Sequence, residues 1–227
     1  MHPYLGTDCK RRSTLRGVDG RTRRERLARC RLYLVLEARP LGLAPAPLLD
    51  AALRGGVDIV QLRDKTLDNE ALVAAAAPFR AACDEHGALF VLNDRPDLVG
   101  ACRADGVHVG RSDATVEEAR AIVGPDRLLG LSASTVEELA QVEGADYVGV
   151  TAFTTPTKED AVAGGLELLR AAAGALEVPW FAIGGIELSN VAKVVAAGAR
   201  GVAVVRAIRD ADDPETAARE LRAALDR

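Results

Sequence analysis

From residue 32 onward the chain repeats one unit eight times: an apolar run of strand length, then a longer stretch rich in Ala, Leu, Glu and Arg. The strand-length runs cover 32–36, 57–62, 88–92, 106–109, 128–131, 147–150, 180–183 and 201–205, and the last helical stretch runs from Pro214 to the C-terminus. Runs of that length bounded by turn residues read as buried strands, and the stretches between them read as helices. Strict alternation requires parallel strands joined by helical crossovers. A weak repeat sharpens the choice: Gly56, Gly106, Gly144 and Gly198 stand 50, 38 and 54 residues apart, each before an even-numbered strand. Glycine supplies a helix C-cap with φ > 0 at little cost. Eight units with a two-unit repeat predict an α/β fold, a single (β/α)8 TIM barrel, rather than an open doubly wound sheet.

The length agrees. With 227 residues, 48% of them hydrophobic, the chain can bury one large core and is short for two domains. The barrel is expected over 31–227. Residues 1–30 form a basic extension: up to residue 31 the chain has ten Lys and Arg against three Asp and Glu, and the rest has 19 against 30. The extension lacks the apolar stretch of a secretory signal and is expected to be disordered or frayed, a functional arm being the alternative. The acidic body argues against nucleic-acid binding, which needs clustered positive charge. Charges, Gly or Pro interrupt every apolar run, so no membrane span is expected. Four Cys at 9, 30, 83 and 102 show neither C-x-x-C spacing nor the density of a secreted scaffold. They read as reduced thiols, which favours a cytoplasmic setting.

Active sites of such barrels lie on the face formed by the strand C-termini, so the polar residues just past each strand are the candidates. Gln61, Arg63, Asp64 and Lys65 follow strand 2; Asn93, Asp94 and Arg95 strand 3; Asp113 strand 4; Ser132 and Ser134 strand 5. Thr151, Thr154, Thr155, Thr157 and Lys158 follow strand 6, Gly184 and Gly185 strand 7, and Arg206 strand 8. Arg63 and Lys65 alternate, so in an extended segment they point the same way and can address one phosphate or pyrophosphate. A solvated charged loop is the bland reading of that segment. Asp94 and Asp113 sit at neighbouring strand ends and suffice for Mg2+ bridging a pyrophosphate, because Mg2+ needs only one or two carboxylates. Asp113 is also a natural helix N-cap before Ala-Thr-Val-Glu-Glu. Ile183-Gly184-Gly185-Ile186 and Val204-Val205-Arg206-Ala207 can offer backbone N–H groups to a phosphate, or the glycines can form only a tight turn. Thr155-Pro156-Thr157-Lys158 carries anion donors but also suits a surface turn. His108 reads as a packed or hydrogen-bonded barrel residue; no Ser-His-Asp or Cys-His set and no Cys metal pattern is present.

Taken in order, these segments resemble the thiamine phosphate synthase family. The motifs that carry the likeness are Q-L-R-D-K at Gln61 to Lys65, N-D-R at Asn93 to Arg95, G-V-H-V-G-R-S-D ending at Asp113, and S-A-S-T from Ser132. G-A-D-Y-V-G-V from Gly144, T-P-T-K ending at Lys158, I-G-G-I from Ile183 and V-V-R-A-I ending at Ile208 complete the set, which spans Leu32 to the C-terminus. The resemblance implies an enzyme that joins a hydroxymethylpyrimidine pyrophosphate to a thiazole phosphate, free or carboxylated, with release of pyrophosphate. It implies that Gln61, Leu62, Arg63, Asp64, Lys65, Asn93, Ser132 and Lys158 hold the pyrimidine pyrophosphate, with Arg63, Lys65, Ser132 and Lys158 catalytic. Asp94 and Asp113 would hold Mg2+. Thr155, Pro156, Thr157, Gly185, Val205 and Arg206 would hold the thiazole phosphate. The implied partners are two phosphorylated small molecules, with a homo-oligomer left open.

The chain departs from the family pattern after strand 6, where it is one residue shorter and reads Thr151-Ala152 in place of Gly-Pro. Arg111 replaces a common Gln, and Arg206 a common Ser. Two other functions fit the same architecture: a related thiazole tautomerase, which resembles this chain but depends on a His near the strand 5 rim where this sequence has Ser132-Ala133-Ser134, and a noncatalytic barrel that binds a phosphorylated ligand.

Overall fold

The structure, a computed structural model, describes residues 19–111, 115–153 and 165–226. Eight parallel strands close in chain order, the last pairing back to the first. They are β1 (Leu32–Leu36), β2 (Ile59–Leu62), β3 (Leu89–Asn93), β4 (Gly106–Val109), β5 (Leu128–Ala133), β6 (Tyr147–Thr151), β7 (Trp180–Ile183) and β8 (Val202–Val204). The helices are α1 (Gly20–Leu27), α2 (Ala46–Arg54), α3 (Asn69–His86), α4 (Val116–Val123), α5 (Val136–Leu139), α6 (Gly165–Ala175), α7 (Val191–Ala196), α8 (Arg206–Arg209) and α9 (Pro214–Leu225). The expected single (β/α)8 barrel is thus found. One crossover differs: β3 is followed by a 3-10 turn, Pro96–Leu98, where a full helix was expected.

Alternation along each strand divides the core in two. Leu32, Leu34, Leu36, Val60 and Leu62 face outward and pack with the helices. Tyr33, Val35, Ile59, Leu89, Val91, Leu128, Tyr147 and Phe181 face inward and fill the barrel. One strand, β5, gives up a side chain to make room. A Cβ at Gly130 would run into the Tyr147 ring and lie 2.6 Å from His108 Nδ1, so only glycine fits there.

The glycine repeat has two causes rather than one. Gly56, Gly144 and Gly198 adopt φ of 104°, 84° and 102°, as expected. Gly106 instead lies within β4, where a Cβ would strike the Leu128 carbonyl. The more informative members of the repeat are the acids. Asp58, Asp105 and Asp146, at the starts of the even strands, accept from the amides of Leu32, Phe90 and Leu129 at 3.0, 3.0 and 2.8 Å. Each ties an even strand to the odd strand before it, at the barrel floor.

The expected boundary at residue 31 is corrected. Residues 1–18 lie outside the described residues, but 19–30 belong to the barrel. Asp19 caps α1 by accepting from Thr22 N, and the helix places Gly20, Arg23 and Leu27 on one buried face. Leu27 and Cys30 join the inward core, closing its floor. Arg23 Nε bonds Asp105 Oδ1 at 3.0 Å with both side chains nearly fully buried, and Arg80 holds the other oxygen at 2.8 Å. Arg24 bonds Asp146 at 2.6 Å. Two of the arginines that make this segment look like a solvated extension, Arg23 and Arg24, are the partners of the floor aspartates Asp105 and Asp146.

The three described cysteines, Cys30, Cys83 and Cys102, are unpaired and buried. Burial pushes the Cys30 and Cys83 thiols up to about 12. Among the described residues no helix is long and apolar enough to cross a membrane.

Candidate active site

The inward alternation carries a polar layer to the top of the barrel. Gln61, one residue before the end of β2, faces inward level with Val35 and Val91 and is 4% exposed. Its Nε2 donates to the Tyr33 hydroxyl at 2.5 Å, which in turn lies 3.1 Å from the Tyr147 hydroxyl. Arg63, two residues on, keeps the same parity; its backbone amide is tied to the Leu36 carbonyl at 2.8 Å. Its guanidinium has no hydrogen bond or ion pair among the described residues. Lys65 reaches across to β3, placing Nζ 3.2 Å from Asp94 Oδ2.

Asp94 is held in an uncommon conformation. It adopts φ of 58°, in the left-handed region, with its amide bonded to the His108 carbonyl at 2.9 Å. Asn93 Nδ2 donates to Asp94 Oδ2 at 2.5 Å. One carboxylate oxygen is therefore oriented by Asn93 and Lys65, while Oδ1 has no partner among the described residues. On the neighbouring strands, His108 Nε2 and Ser132 Oγ share a hydrogen bond of 3.0 Å, and Ser134 Oγ lies 3.0 Å from Thr151 Oγ1. Gln61, Arg63, Lys65, Asn93, Asp94 and Ser132 thus gather on one face of β2 to β5. His108 is the hydrogen-bonded barrel residue its strand position suggested.

Two residues of the expected set turn away. The parity that sends Gln61 and Arg63 inward sends Leu62 outward, where it is fully buried against the helices. Asp64 structures the loop: it accepts from Thr66 N and Oγ1 at 3.0 and 2.7 Å and from Ala38 N at 3.3 Å. Burial opposes its ionisation, but these bonds outweigh burial and hold the Asp64 carboxyl below the usual range. Arg95 likewise grips Asp97 at 3.0 and 2.7 Å rather than the site.

At the β7 and β8 ends, Gly184 and Gly185 have φ of 105° and 59°, and a Cβ at Gly184 would strike the Phe153 carbonyl. The turn therefore requires glycine for its backbone shape and, at 184, for close approach. The amides of Gly184, Gly185, Arg206 and Ala207 have no hydrogen-bond partner among the described residues. The Arg206 side chain is exposed, and Val205 caps α8 with φ of −121°.

Asp113, Thr154, Thr155, Pro156, Thr157 and Lys158 lie outside the described residues. Thr115 caps α4, accepting from Glu118 N at 3.2 Å while Glu118 accepts from Thr115 N at 3.0 Å. Residues the sequence reading missed are Tyr33 and Tyr147, whose signal was two tyrosines at inward positions of otherwise aliphatic strands. Arg111, one of the departures from the family pattern, pins the β4 end to the α5 region through Glu138 O at 2.6 Å and Gln141 Oε1 at 3.2 Å.

Comparison with known proteins bears on the same span. The family model for thiamine monophosphate synthase matches residues 32–208. A thiamine-phosphate synthase of Thermobifida fusca is 50% identical over 209 residues, covering 90% of this chain and 96% of that one. One of Nostoc sp. is 42% identical over 234 residues; there the match covers all of this chain but 66% of the longer relative. Among solved structures, a thiamine phosphate pyrophosphorylase from Pyrococcus furiosus superposes with a TM-score of 0.80 at 34% identity, covering 89% of this chain and 97% of that one.

Proposed function

Because the chain belongs to the thiamine monophosphate synthase family, transferases of thiamine biosynthesis, we propose that its rim performs that synthesis with the division of labour set out here. The substrates are the hydroxymethylpyrimidine pyrophosphate and the thiazole phosphate, and the products are thiamine phosphate and pyrophosphate. The observation that carries the reading is the convergence of Gln61, Arg63, Lys65, Asn93, Asp94 and Ser132 on one wall, opposite a glycine turn whose amides have no hydrogen-bond partner among the described residues. That is a cationic, hydrogen-bonding wall for a pyrophosphate and a backbone cradle for a second phosphate.

The bond that breaks joins the pyrimidine methylene carbon to the pyrophosphate oxygen. Negative charge builds on that oxygen, where Arg63, Lys65 and Lys158 meet it. Preorganised cations in a low-dielectric barrel mouth are worth more there than in water. Asn93 and Ser132 hold the departing group in place, and Gln61 addresses the ring. The thiazole nitrogen, with its phosphate held by Thr155, Thr157, Gly185 and the Val205-Arg206 backbone, donates its lone pair to the methylene carbon. A ring nitrogen carries no proton to remove, so the rim needs no strong base.

Asp94 suits Mg2+. Its Oδ2 is fixed by Asn93 and Lys65 while Oδ1 has no partner among the described residues, and Asp113, which follows β4 in the sequence, would supply the second hard oxygen donor. Mg2+ tolerates so sparse a protein donor set because waters and substrate phosphates complete its shell. When bound, Mg2+ would neutralise charge on the departing pyrophosphate.

The test is purified protein with both substrates and Mg2+, the product followed chromatographically. Thiamine phosphate should form only when both substrates are present. Tight binding of both substrates without product would instead identify a binding barrel.

A further inference from the structure

Below the polar rim the described inward-facing core is apolar apart from the hydroxyls of Tyr33 and Tyr147, with the His108 ring 5.5 Å from the Tyr147 ring. Both phenols are essentially fully buried, and burial pushes both hydroxyls up, so they remain neutral. Buried hydroxyls add nothing to packing that phenylalanine would not, and they cost free energy unless hydrogen-bonded. Here they bond each other at 3.1 Å, and Tyr33 also accepts from Gln61 Nε2 at 2.5 Å. The rings are locked from the side: Phe181 meets Tyr33 edge-on at 5.4 Å and Tyr147 at 5.9 Å, and Gly130 leaves the space Tyr147 occupies. The Tyr33 oxygen is therefore a fixed point, and the Gln61 amide hangs from it.

A glutamine amide has one donor edge and one acceptor edge. With Nε2 committed downward to Tyr33, Oε1 is the edge left for the rim, and no described residue donates to it. We propose that Tyr33, backed by Tyr147, is a positioning residue that fixes the Gln61 amide so that an acceptor faces the pyrimidine ring. The proposal rests on the reading that Gln61 addresses that ring. A fixed acceptor selects a ring bearing an amine donor and rejects one bearing a carbonyl, because two facing acceptors leave a buried group unsatisfied. The tyrosine pair thereby sets the enzyme's preference for an aminopyrimidine over its deaminated, oxo counterpart.

Steady-state kinetics of Y33F and Y147F with the amino and oxo pyrimidine pyrophosphates test this. Y33F keeps the ring and removes the anchor, so KM for the aminopyrimidine should rise about 3- to 10-fold and the preference over the oxo analogue should fall by a similar factor. KM for the thiazole phosphate should not move. Y147F removes only the second link and should shift the same two quantities less. A folded Y33F with unchanged KM and unchanged preference overturns the proposal, as does an equal rise in both KM values, which would mark a merely structural role. If Y33F does not fold, Y147F decides: an unchanged preference overturns the proposal. Wild-type protein that turns over neither pyrimidine defeats the underlying reading as well, an outcome distinct from active wild type with unaltered variants.

Discussion

Replacing Leu27 by Ala should destabilise the whole barrel although the residue lies before the first strand. Leu27 is 1% exposed and packs in the inward core with Cys30, Tyr33, Leu89 and Leu128, where α1 closes the floor. Removing a fully buried leucine side chain costs about 2.7–5 kcal/mol, the transfer term plus the cavity that remains. The upper part of that range applies here, because the strand ends around the cavity are fixed by the barrel ladder and cannot collapse into it. Total stabilities are about 5–15 kcal/mol. For a chain of this size each kcal/mol moves Tm by about 2–4 °C, so a loss of about 4–5 kcal/mol should make the variant melt roughly 8–20 °C lower. Thermal unfolding followed by circular dichroism gives the number, with turnover at 25 °C as the companion measurement. Since the proposed site is at the opposite end of the strands, kcat and both KM values should stay within about twofold. A Tm within about 1 °C of wild type would mean that α1 is frayed in solution and that the floor closes without it.

Asp105→Asn should cost about 3–5 kcal/mol, because it leaves the buried Arg23 and Arg80 without their shared countercharge; chemical denaturation would read this directly. Burial opposes ionisation of Asp105, yet the Phe90 amide, Arg80 and Arg23 outweigh it and hold the carboxyl below its usual range. A depressed carboxyl contributes stability above its unfolded pKa and loses it as pH falls through the folded one, so acid unfolding should begin below about pH 4 in wild type and be flattened in the variant. Asp94→Asn keeps a residue that tolerates the left-handed backbone but weakens the rim charge, so the fold should survive while kcat falls by about 10²–10³-fold. EDTA should depress turnover similarly; full activity in chelator would remove Mg2+ from the account.

The alternation that built the barrel was legible because it depends on local periodicity: all eight strands form within two residues of the expected bounds. The same alternation, applied one step further, would have turned Leu62 and Asp64 away from the site, since residues flanking an inward position face outward. Thr115 as the α4 cap was likewise written in Thr115-x-x-Glu118, a reciprocal capping pattern, although Asp113 looked the better cap by residue type. The α1 plug was not legible. Its buried face holds only Gly20, Arg23 and Leu27, and what makes an arginine there structural is an aspartate 82 residues away. The Gln61–Tyr33–Tyr147 chain is hidden for the same reason, as it joins strands distant in sequence through the barrel interior.

The central claim is that the rim has two sides, one holding the departing pyrophosphate and one holding the second phosphate. Steady-state profiles of Lys65→Ala and Gly185→Ala, with each substrate varied in turn, test it most directly. Lys65→Ala should depress kcat and raise KM for the pyrimidine pyrophosphate, with little change in KM for the thiazole phosphate. Gly185→Ala should raise KM for the thiazole phosphate selectively, because φ of 59° and the added methyl disturb the cradle that docks it. If both variants change the same KM, or each changes both alike, the division of the rim is wrong.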